Sequence, residues 1–171
     1  MERIFAPWRI RYILAPKPKG CIFCEYPKQN RDRENLILYR GKTCFIIMNR
    51  NPYNPGHVMV CPYRHIASVE DMNEDEMLES MKLVNLVIKA TRKAMNPDGF
   101  NIGVNIGKVA GAGIEQHLHI HVVPRWIGDT SFMPILADVQ VIPEALEETY
   151  DKLKKAIEEI SCQASSPLSQ G

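Results

Sequence analysis

The sequence predicts an α+β domain in which one five-stranded antiparallel sheet is covered by a long helix and a C-terminal helix. Five short runs rich in Ile, Val, Phe and Cys are typical of strands, and several follow one another closely enough to form hairpins. Two longer segments repeat apolar residues at helical spacing. The strands are expected at residues 36–39, 44–48, 57–62, 100–106 and 117–123. Strands and helices in this order indicate one sheet with helical cover.

The long helix is predicted to follow Asn73. Asn73 is a good N-cap, and Glu76 three residues later completes the spacing of a capping box. Apolar residues then recur on one helical face, which we expect to lie in the core: Met77, Met81, Val84 and Ile88. The run Asn-Pro-Asp-Gly at residues 96–99 should end the helix.

The C-terminal helix is expected to begin near Pro143, since proline is well suited to the first helical position. Its apolar face would contain Leu146, Tyr150, Leu153, Ile157 and Ile160. The predicted organisation is an N-terminal arm over residues 1–20, one domain over residues 21–162, and a small polar tail over residues 163–171 that we expect to be disordered.

Composition narrows the class of protein. The chain has 171 residues, is 45% hydrophobic and 24% charged, and carries a formal net charge of +1. This balance is ordinary for a globular protein and gives no general basic surface for nucleic acid. No apolar run is long enough for a membrane span, and the N-terminus does not resemble a signal peptide, so a cytoplasmic location is expected. Five cysteines suggest thiols or metal ligands rather than a disulfide framework.

Three of the five histidines fall in one predicted strand. His117, His119 and His121 alternate with Leu118 and Ile120, so the imidazoles should share one face, about 6–7 Å apart. A half-exposed strand that happens to carry histidines is one interpretation, although histidine is not a favoured strand residue. Alternating histidines can also bind zinc. A third interpretation is nucleophilic catalysis, in which a neutral imidazole attacks phosphorus while its other nitrogen is held by a carbonyl.

Two segments resemble the histidine-triad (HIT) superfamily. The run His-Leu-His-Ile-His-Val-Val at residues 117–123 resembles the family's signature of histidines alternating with apolar residues. The run Asn-Arg-Asn-Pro-Tyr-Asn-Pro-Gly-His at residues 49–57 resembles the family's upstream strand pair. Segments at residues 6–12, 110–114, 123–126 and 128–134 look like the bacterial diadenosine tetraphosphate phosphorylase branch. The resemblance implies a HIT-like fold and a nucleotide-processing enzyme, usually homodimeric.

The resemblance also implies roles for individual residues. His119 would be the nucleophile, forming a covalent nucleotidyl intermediate. His57, together with His117, would orient it, and the backbone carbonyl of His57 would accept the N–H of His119. His121 would donate to phosphate oxygens, and Asn49 would lie near the ribose.

A glycine-rich loop precedes the histidine run. Its glycines allow backbone N–H groups to approach phosphate, although the spacing is not that of a Walker A loop, and a flexible connection is the alternative interpretation. With the resemblance, the expected nucleotide and phosphate contacts are Asn49, Asn105, Gly111, Gly113, Gln116 and His121.

Ile114 departs from the family pattern. Many relatives carry Ser or Thr three residues before the first triad histidine, where it can assist the leaving group. The departure argues against a simple mononucleoside phosphoramidase or dinucleoside hydrolase. The resemblance to the bacterial branch implies instead diadenosine tetraphosphate phosphorolysis, in which inorganic phosphate is the acceptor and the products are ADP and ATP. The alternatives are a dinucleoside polyphosphate or nucleoside phosphoramidate hydrolase, a zinc hydrolase that uses the triad as its metal site, and a nucleotide-binding protein with little catalysis.

Two cysteines near the start of the domain indicate a possible metal site. Cys21 and Cys24 form a C-x-x-C pair, which alone is ambiguous between metal binding and redox chemistry. With His65 and His117 they would make a tetrahedral Cys₂His₂ set for structural zinc, a pattern that zinc-containing HIT proteins resemble. The alternative is two buried thiols and a surface histidine.

Overall fold

The computed structural model describes residues 20–129 and 144–165. Four α-helices are found there: α1 (Ile22–Glu25), α2 (Asp32–Asn35), α3 (Glu74–Met95) and α4 (Leu146–Ser165). The strands are β1 (Ile37–Arg40), β2 (Cys44–Met48), β3 (Val58–Pro62), β4 (Gly99–Val104) and β5 (Ile120–Arg125). Two short 3₁₀ turns lie at Val69–Asp71 and Lys108–Ala110.

The five strands form one antiparallel sheet in the order β1-β2-β3-β5-β4, which confirms the predicted fold class. β1, β2 and β3 follow one another as neighbours, as their short connections favour. The chain then crosses through α3 to the edge strand β4 and returns along β5 between β3 and β4. The crossover places the histidine-bearing segment in the middle of the sheet.

The two faces of the sheet pack against different layers. One face lies against α3 and α4 and forms the larger core, which includes Ile46, Val60 and Val122. The other face carries Ile37, Phe45, Ile47, Met59 and Cys61, and it is covered by Phe23 of α1. Alternation along each strand therefore supplies two apolar layers. The functional side chains belong to the second face.

Helix α3 confirms the predicted capping box. The Asn73 side chain accepts from the backbone N–H of Glu76, and the Glu76 carboxylate accepts from the backbone N–H of Asn73. The helix ends at Met95, and Asn96 adopts the left-handed conformation common at helix ends.

The predicted core face of α3 is wrong in its first two turns. Met77 and Met81 are 46% and 59% exposed. The buried face passes instead through Ser80, Leu83, Val84, Val87 and Ala90. Small and polar residues fit here because the first turns approach the β1–β2 hairpin, where the Glu79 carboxylate accepts backbone N–H groups of residues 42–44.

Helix α4 has the predicted apolar face. Tyr150, Leu153 and Ile157 are buried, and Leu146 and Ile160 pack against the same core. The helix continues to Ser165. Pro143, most of the predicted arm and residues 166–171 of the predicted tail lie outside the described residues. Within the described ranges, no helix is long and apolar enough to cross a membrane.

Strand β5 begins three residues later than predicted. It starts at Ile120, so His117 and His119 precede it. The last pair between β3 and β5 joins Val60 and Ile120. Beyond this pair, the imidazole of His117 donates to the backbone carbonyl of Pro62. The backbone N–H of Leu118 donates to the carbonyl of Ile66 at 2.6 Å. The pairing of β3 with β5 ends here because the His117 side chain bonds the Pro62 carbonyl and Leu118 bonds the loop after β3.

Candidate active site

Four buried histidines form a cluster on the sheet face that Phe23 covers. His57 is fully buried, and His117, His119 and His121 are 1%, 5% and 9% exposed. The rings of His119 and His121 lie 4.7 Å apart, closer than the predicted spacing, and those of His57 and His121 lie 5.1 Å apart. β5 and the residues before it supply three of these rings, and the start of β3 supplies the fourth. The residues predicted to act together are therefore adjacent.

The hydrogen bonds of His119 define which of its nitrogens is free. Its Nδ1 lies 2.8 Å from the backbone carbonyl of His117. A carbonyl only accepts, so we assign the proton to Nδ1 and a lone pair to Nε2. The predicted partner, the carbonyl of His57, is wrong, because Nδ1 of His119 bonds the His117 carbonyl, while the His57 carbonyl accepts the backbone N–H of Asn49 at 3.0 Å. The chemistry that was expected of the ring is unchanged.

A second chain of hydrogen bonds orients His57 and His121. The backbone N–H of Tyr53 donates to Nδ1 of His57 at 3.1 Å, so the His57 proton lies on Nε2. That nitrogen is 2.9 Å from Nδ1 of His121, which must then accept. The remaining proton of neutral His121 lies on Nε2, a buried atom with no partner among the described residues. His119 and His121 therefore present, respectively, an imidazole lone pair and an N–H for which the described residues supply no partner.

Burial keeps these imidazoles neutral. Desolvation lowers the pKa of His57 to about 3 and that of His121 to about 4, and nearby histidines add to the effect. Desolvation also lowers the pKa of His119, although the hydrogen bond to the His117 carbonyl opposes the shift. A neutral His119 is required if Nε2 is to act as a nucleophile.

Beside the histidine cluster, four side chains converge as metal ligands would. Candidate ligand atoms of Cys21, Cys24, His65 and His117 all lie within 4.8 Å of one another. Nδ1 of His117 is 3.3 Å from Sγ of Cys21 and 3.4 Å from Sγ of Cys24, and Nδ1 of His65 is 3.3 Å from Sγ of Cys24. All four residues are those that the sequence predicted, and together they could hold a metal ion.

Contacts behind the ligands hold two of them in place. Nε2 of His117 lies 2.9 Å from the Pro62 carbonyl and donates to it, which leaves Nδ1 free to bind a metal. Arg64, next to His65, donates twice to the buried carboxylate of Glu76, at 2.7 Å each. The first turn of α3 therefore anchors the loop that carries His65.

Asn49 and Tyr53 belong to the loop that leads to His57. The Asn49 amide nitrogen is 3.3 Å from Nδ1 of His57, and its oxygen accepts the backbone N–H of Asn51 at 2.9 Å. Asn54 in the same loop donates to the Asp129 carboxylate at 2.8 Å. These bonds fix the loop against the end of β5.

The glycine-rich loop is exposed. Asn105 donates to the carbonyl of Gly111 at 3.4 Å, and Gly107 and Gly111 adopt positive φ angles. Gly113 has open space where a side chain would stand, and Gln116 is exposed. Ile114 packs against the cluster that contains Phe23. The backbone N–H of Gly111 donates to the Lys108 carbonyl and that of Ala112 donates to the Gly107 carbonyl, so the open backbone that a phosphate site requires lies at Gly113.

Sequence reasoning missed two residues that the structure places in the cluster. Phe23 lies against the rings of both His117 and His119, and the Tyr53 ring packs at a tilt against that of His57, with centroids 4.7 Å apart. The position of Phe23 between the two cysteines was the only sequence signal for the first. The Tyr53 hydrogen bond comes from its backbone, which no side-chain pattern could predict.

Comparison with known sequences finds a matching family model and named relatives. The HIT domain family model matches residues 30–126. The chain is 38% identical over 158 residues to a Mycobacterium tuberculosis protein named AP-4-A phosphorylase, covering 87% of this chain and 80% of that one. It is 30% identical over 114 residues to the Schizosaccharomyces pombe asymmetrical bis(5′-nucleosyl)-tetraphosphatase, covering 67% of this chain and 59% of that one.

Comparison with solved structures finds a similar fold. A Zn-bound histidine triad family protein from Mycobacterium smegmatis superposes with a TM-score of 0.68 at 26% identity, covering 84% of this chain and 97% of that one. Both the predicted fold and the expectation of a HIT-family enzyme are confirmed. The chain belongs to the HIT-domain family.

Proposed function

We propose that this enzyme transfers the adenylyl group of diadenosine tetraphosphate to inorganic phosphate through a covalent intermediate on His119. One observation carries the proposal: His119 is buried, held through Nδ1 by the His117 carbonyl, and left with a free lone pair on Nε2. A neutral imidazole fixed in this way is a competent nucleophile towards phosphorus.

In the first step, Nε2 of His119 attacks the α-phosphorus of the dinucleotide. The new bond joins phosphorus to nitrogen, the bond from phosphorus to the bridging oxygen breaks, and ATP leaves with that oxygen. The imidazole now carries positive charge, and its Nδ1–H donates to the His117 carbonyl. That carbonyl was in place before the reaction, so it stabilises the charge without reorganisation.

His121 supports the same step from the other side. Its Nε2–H has no partner among the described residues, and it lies in the same buried cluster as His119. A phosphate oxygen placed there would accept this hydrogen bond and offset the cost of a buried, unpaired donor. His57 is a positioning residue, because it reaches the substrate only through His121.

In the second step, an oxygen of inorganic phosphate attacks the same phosphorus. The phosphorus–nitrogen bond breaks, His119 returns to its neutral form, and the product is ADP. Water in place of phosphate would give AMP. Ile114 favours phosphate, because the hydroxyl that many relatives carry at this position is replaced by an apolar side chain packed against the Phe23 cluster. The M. tuberculosis relative named as a phosphorylase supports the same choice.

The nucleotide is proposed to lie across the glycine-rich loop and the histidine cluster. The loop contributes open backbone at Gly113, Asn105 holds the neighbouring turn through the carbonyl of Gly111, and Gln116 lies exposed between this loop and His117. Asn49, bonded to His57, would contact the ribose.

Cys21, Cys24, His65 and His117 are proposed to hold structural zinc. Four bonds of about 2.0–2.3 Å in a tetrahedron separate the ligand atoms by about 3.3–3.8 Å, and the distances between these side chains agree. Zinc with four protein ligands would stabilise the fold and fix the ligands rather than react. His117 would serve both sites, binding metal through its ring and His119 through its carbonyl.

A homodimer is part of the proposal. β4 is an edge strand, and Ile102 on it and Ile106 after it are 47% and 44% exposed. An exposed apolar edge is suited to pairing with a second copy. Light scattering on the purified protein should give twice the chain mass.

The test is product analysis with diadenosine tetraphosphate, with and without inorganic phosphate. The proposal predicts ADP and ATP in equal amounts, dependent on phosphate and lost in His119→Ala. AMP and ATP regardless of phosphate would establish a hydrolase and remove the significance assigned to Ile114. Nucleotide binding without turnover would favour a binding protein. Turnover that requires zinc but passes through no adenylylated His119 would instead favour a zinc hydrolase that uses the triad as its metal site.

A further inference from the structure

The C-x-x-C turn contains a buried aromatic residue that no part of the proposed mechanism uses. Phe23 lies on α1 between Cys21 and Cys24 and is 1% exposed. Its ring centroid is 5.1 Å from that of His119, at an interplanar angle of 41°, and 5.3 Å from that of His117, at 60°. Both distances are typical of direct ring packing.

Phe23 restrains the one freedom that the hydrogen bonds leave to His119. The bond from Nδ1 to the His117 carbonyl restrains the imidazole, but a hydrogen bond tolerates bending, so the ring could still swing about its Cβ–Cγ bond. A flat side chain packed against the ring resists this rotation, because turning the imidazole would press it into Phe23. The direction of the Nε2 lone pair depends on that rotation, so the packing contact controls the line of attack.

Resting on the proposed function, we propose that Phe23 is a positioning residue that holds the His119 imidazole in its attacking orientation. The metal-binding turn then contributes to catalysis in two ways. It binds His117, whose carbonyl holds Nδ1 of His119, and it carries the ring that supports His119 from the side. A metal ion bound by the two cysteines would fix the position of Phe23 between them.

The test compares Phe23→Leu with Phe45→Leu in the full, zinc-loaded chain. Phe45 is a matched control: it is fully buried in the same cluster, and its ring packs on Tyr63. Both changes remove a ring from one core, so both should lower Tm similarly. Phe23→Leu should lower kcat by roughly 10- to 100-fold, as small misplacements of reacting groups do. KM for diadenosine tetraphosphate and the zinc content should match those of Phe45→Leu.

A second measurement needs no turnover. In protein labelled with ¹⁵N at histidine, the Nδ1–H of His119 should give a slowly exchanging NMR signal in the original chain and in Phe45→Leu. In Phe23→Leu the signal should broaden or give way to the other tautomer. If diadenosine tetraphosphate proves not to be the substrate, the proposed function fails, and this measurement still decides the role of Phe23.

Several results would overturn the inference. An unchanged His119 signal with unchanged kcat would show that the packing is incidental. An equal loss of kcat in both variants would make the effect one of general core stability. A rise in KM alone would place Phe23 against the nucleotide, and loss of zinc from Phe23→Leu alone would place its role at the metal.

Discussion

The buried pair His57 and His121 should make the protein less stable in mild acid. In the unfolded chain both imidazoles have pKa values near 6.5, whereas burial lowers them to about 3 and about 4 in the folded protein. Between these limits the unfolded chain binds protons that the folded protein does not. The stability that comes from burying neutral rings is therefore complete above pH 6.5 and is lost as the pH falls towards 4.

The magnitude follows from the two pKa values. Lowering the pH from 7 to 5 takes an unfolded imidazole from mostly neutral to mostly protonated, while the folded ring stays neutral. This costs about 2 kcal/mol of unfolding free energy for each histidine, or about 4 kcal/mol for the pair. Such a loss is a large share of the stability of a typical domain.

The assay is urea unfolding at pH 7, 6 and 5, followed by far-UV circular dichroism, on the original chain and on His57→Gln. Glutamine can accept the Tyr53 N–H and donate to His121, but it does not titrate. Its loss of unfolding free energy between pH 7 and 5 should be smaller by about 2 kcal/mol. Other titrating groups are common to both proteins and cancel. Identical pH dependence would refute the reasoning, because His57 would then not be held neutral by burial.

Three further predictions concern residues that hold the candidate site in place. Cys24→Ser should lower the zinc content measured by plasma mass spectrometry and lower Tm, whereas Cys162→Ser, in α4 and outside the cluster, should retain the metal. Arg64→Ala should cost about 1–3 kcal/mol in urea unfolding, because the buried Glu76 carboxylate loses two hydrogen bonds. Gly56→Ala should cost about 1–2 kcal/mol, because the backbone there has φ of +75°.

Matched controls separate these effects from general damage. Arg31→Ala removes an exposed ion pair with Glu34 and should change stability by less than about 1 kcal/mol. Gly103→Ala adds a methyl group into open space, whereas the methyl group at Gly56 would meet Met95 Sδ at 2.9 Å. If Arg31→Ala equals Arg64→Ala, the buried carboxylate is not the source of the cost. If Gly103→Ala equals Gly56→Ala, the cost does not arise from conformation or crowding.

Much of the fold could be predicted because its signals are local. The capping box at Asn73, the left-handed stop at Asn96 and the apolar face of α4 each depend on residues within a few positions of one another. The strand runs were found for the same reason. The exposure of Met77 and Met81 could not be predicted, because which side of a helix is buried depends on the sheet and hairpin beneath it.

The candidate site also contains some features that local sequence patterns predict and others that they do not. The candidate metal ligands and the histidine cluster could be predicted from residue type and spacing, helped by resemblance to a family. The partner of His119 Nδ1 could not, because the choice between the carbonyls of His57 and His117 depends on where β5 leaves β3. The contact between Phe23 and His119 joins residues 96 positions apart, and no local pattern shows it.

The claim that His119 is the nucleophile is tested most directly by trapping the covalent intermediate. The enzyme is mixed with diadenosine tetraphosphate in the absence of inorganic phosphate, quenched in alkali within one turnover, digested and analysed by mass spectrometry. We expect one adenylyl group on the peptide that contains His119, released as ADP when phosphate is added before the quench. Two results would contradict the assignment of His119 as the nucleophile. One is ADP and ATP formation at full rate with phosphate although no adenylylated protein is trapped without it, and the other is an adenylyl group on another residue.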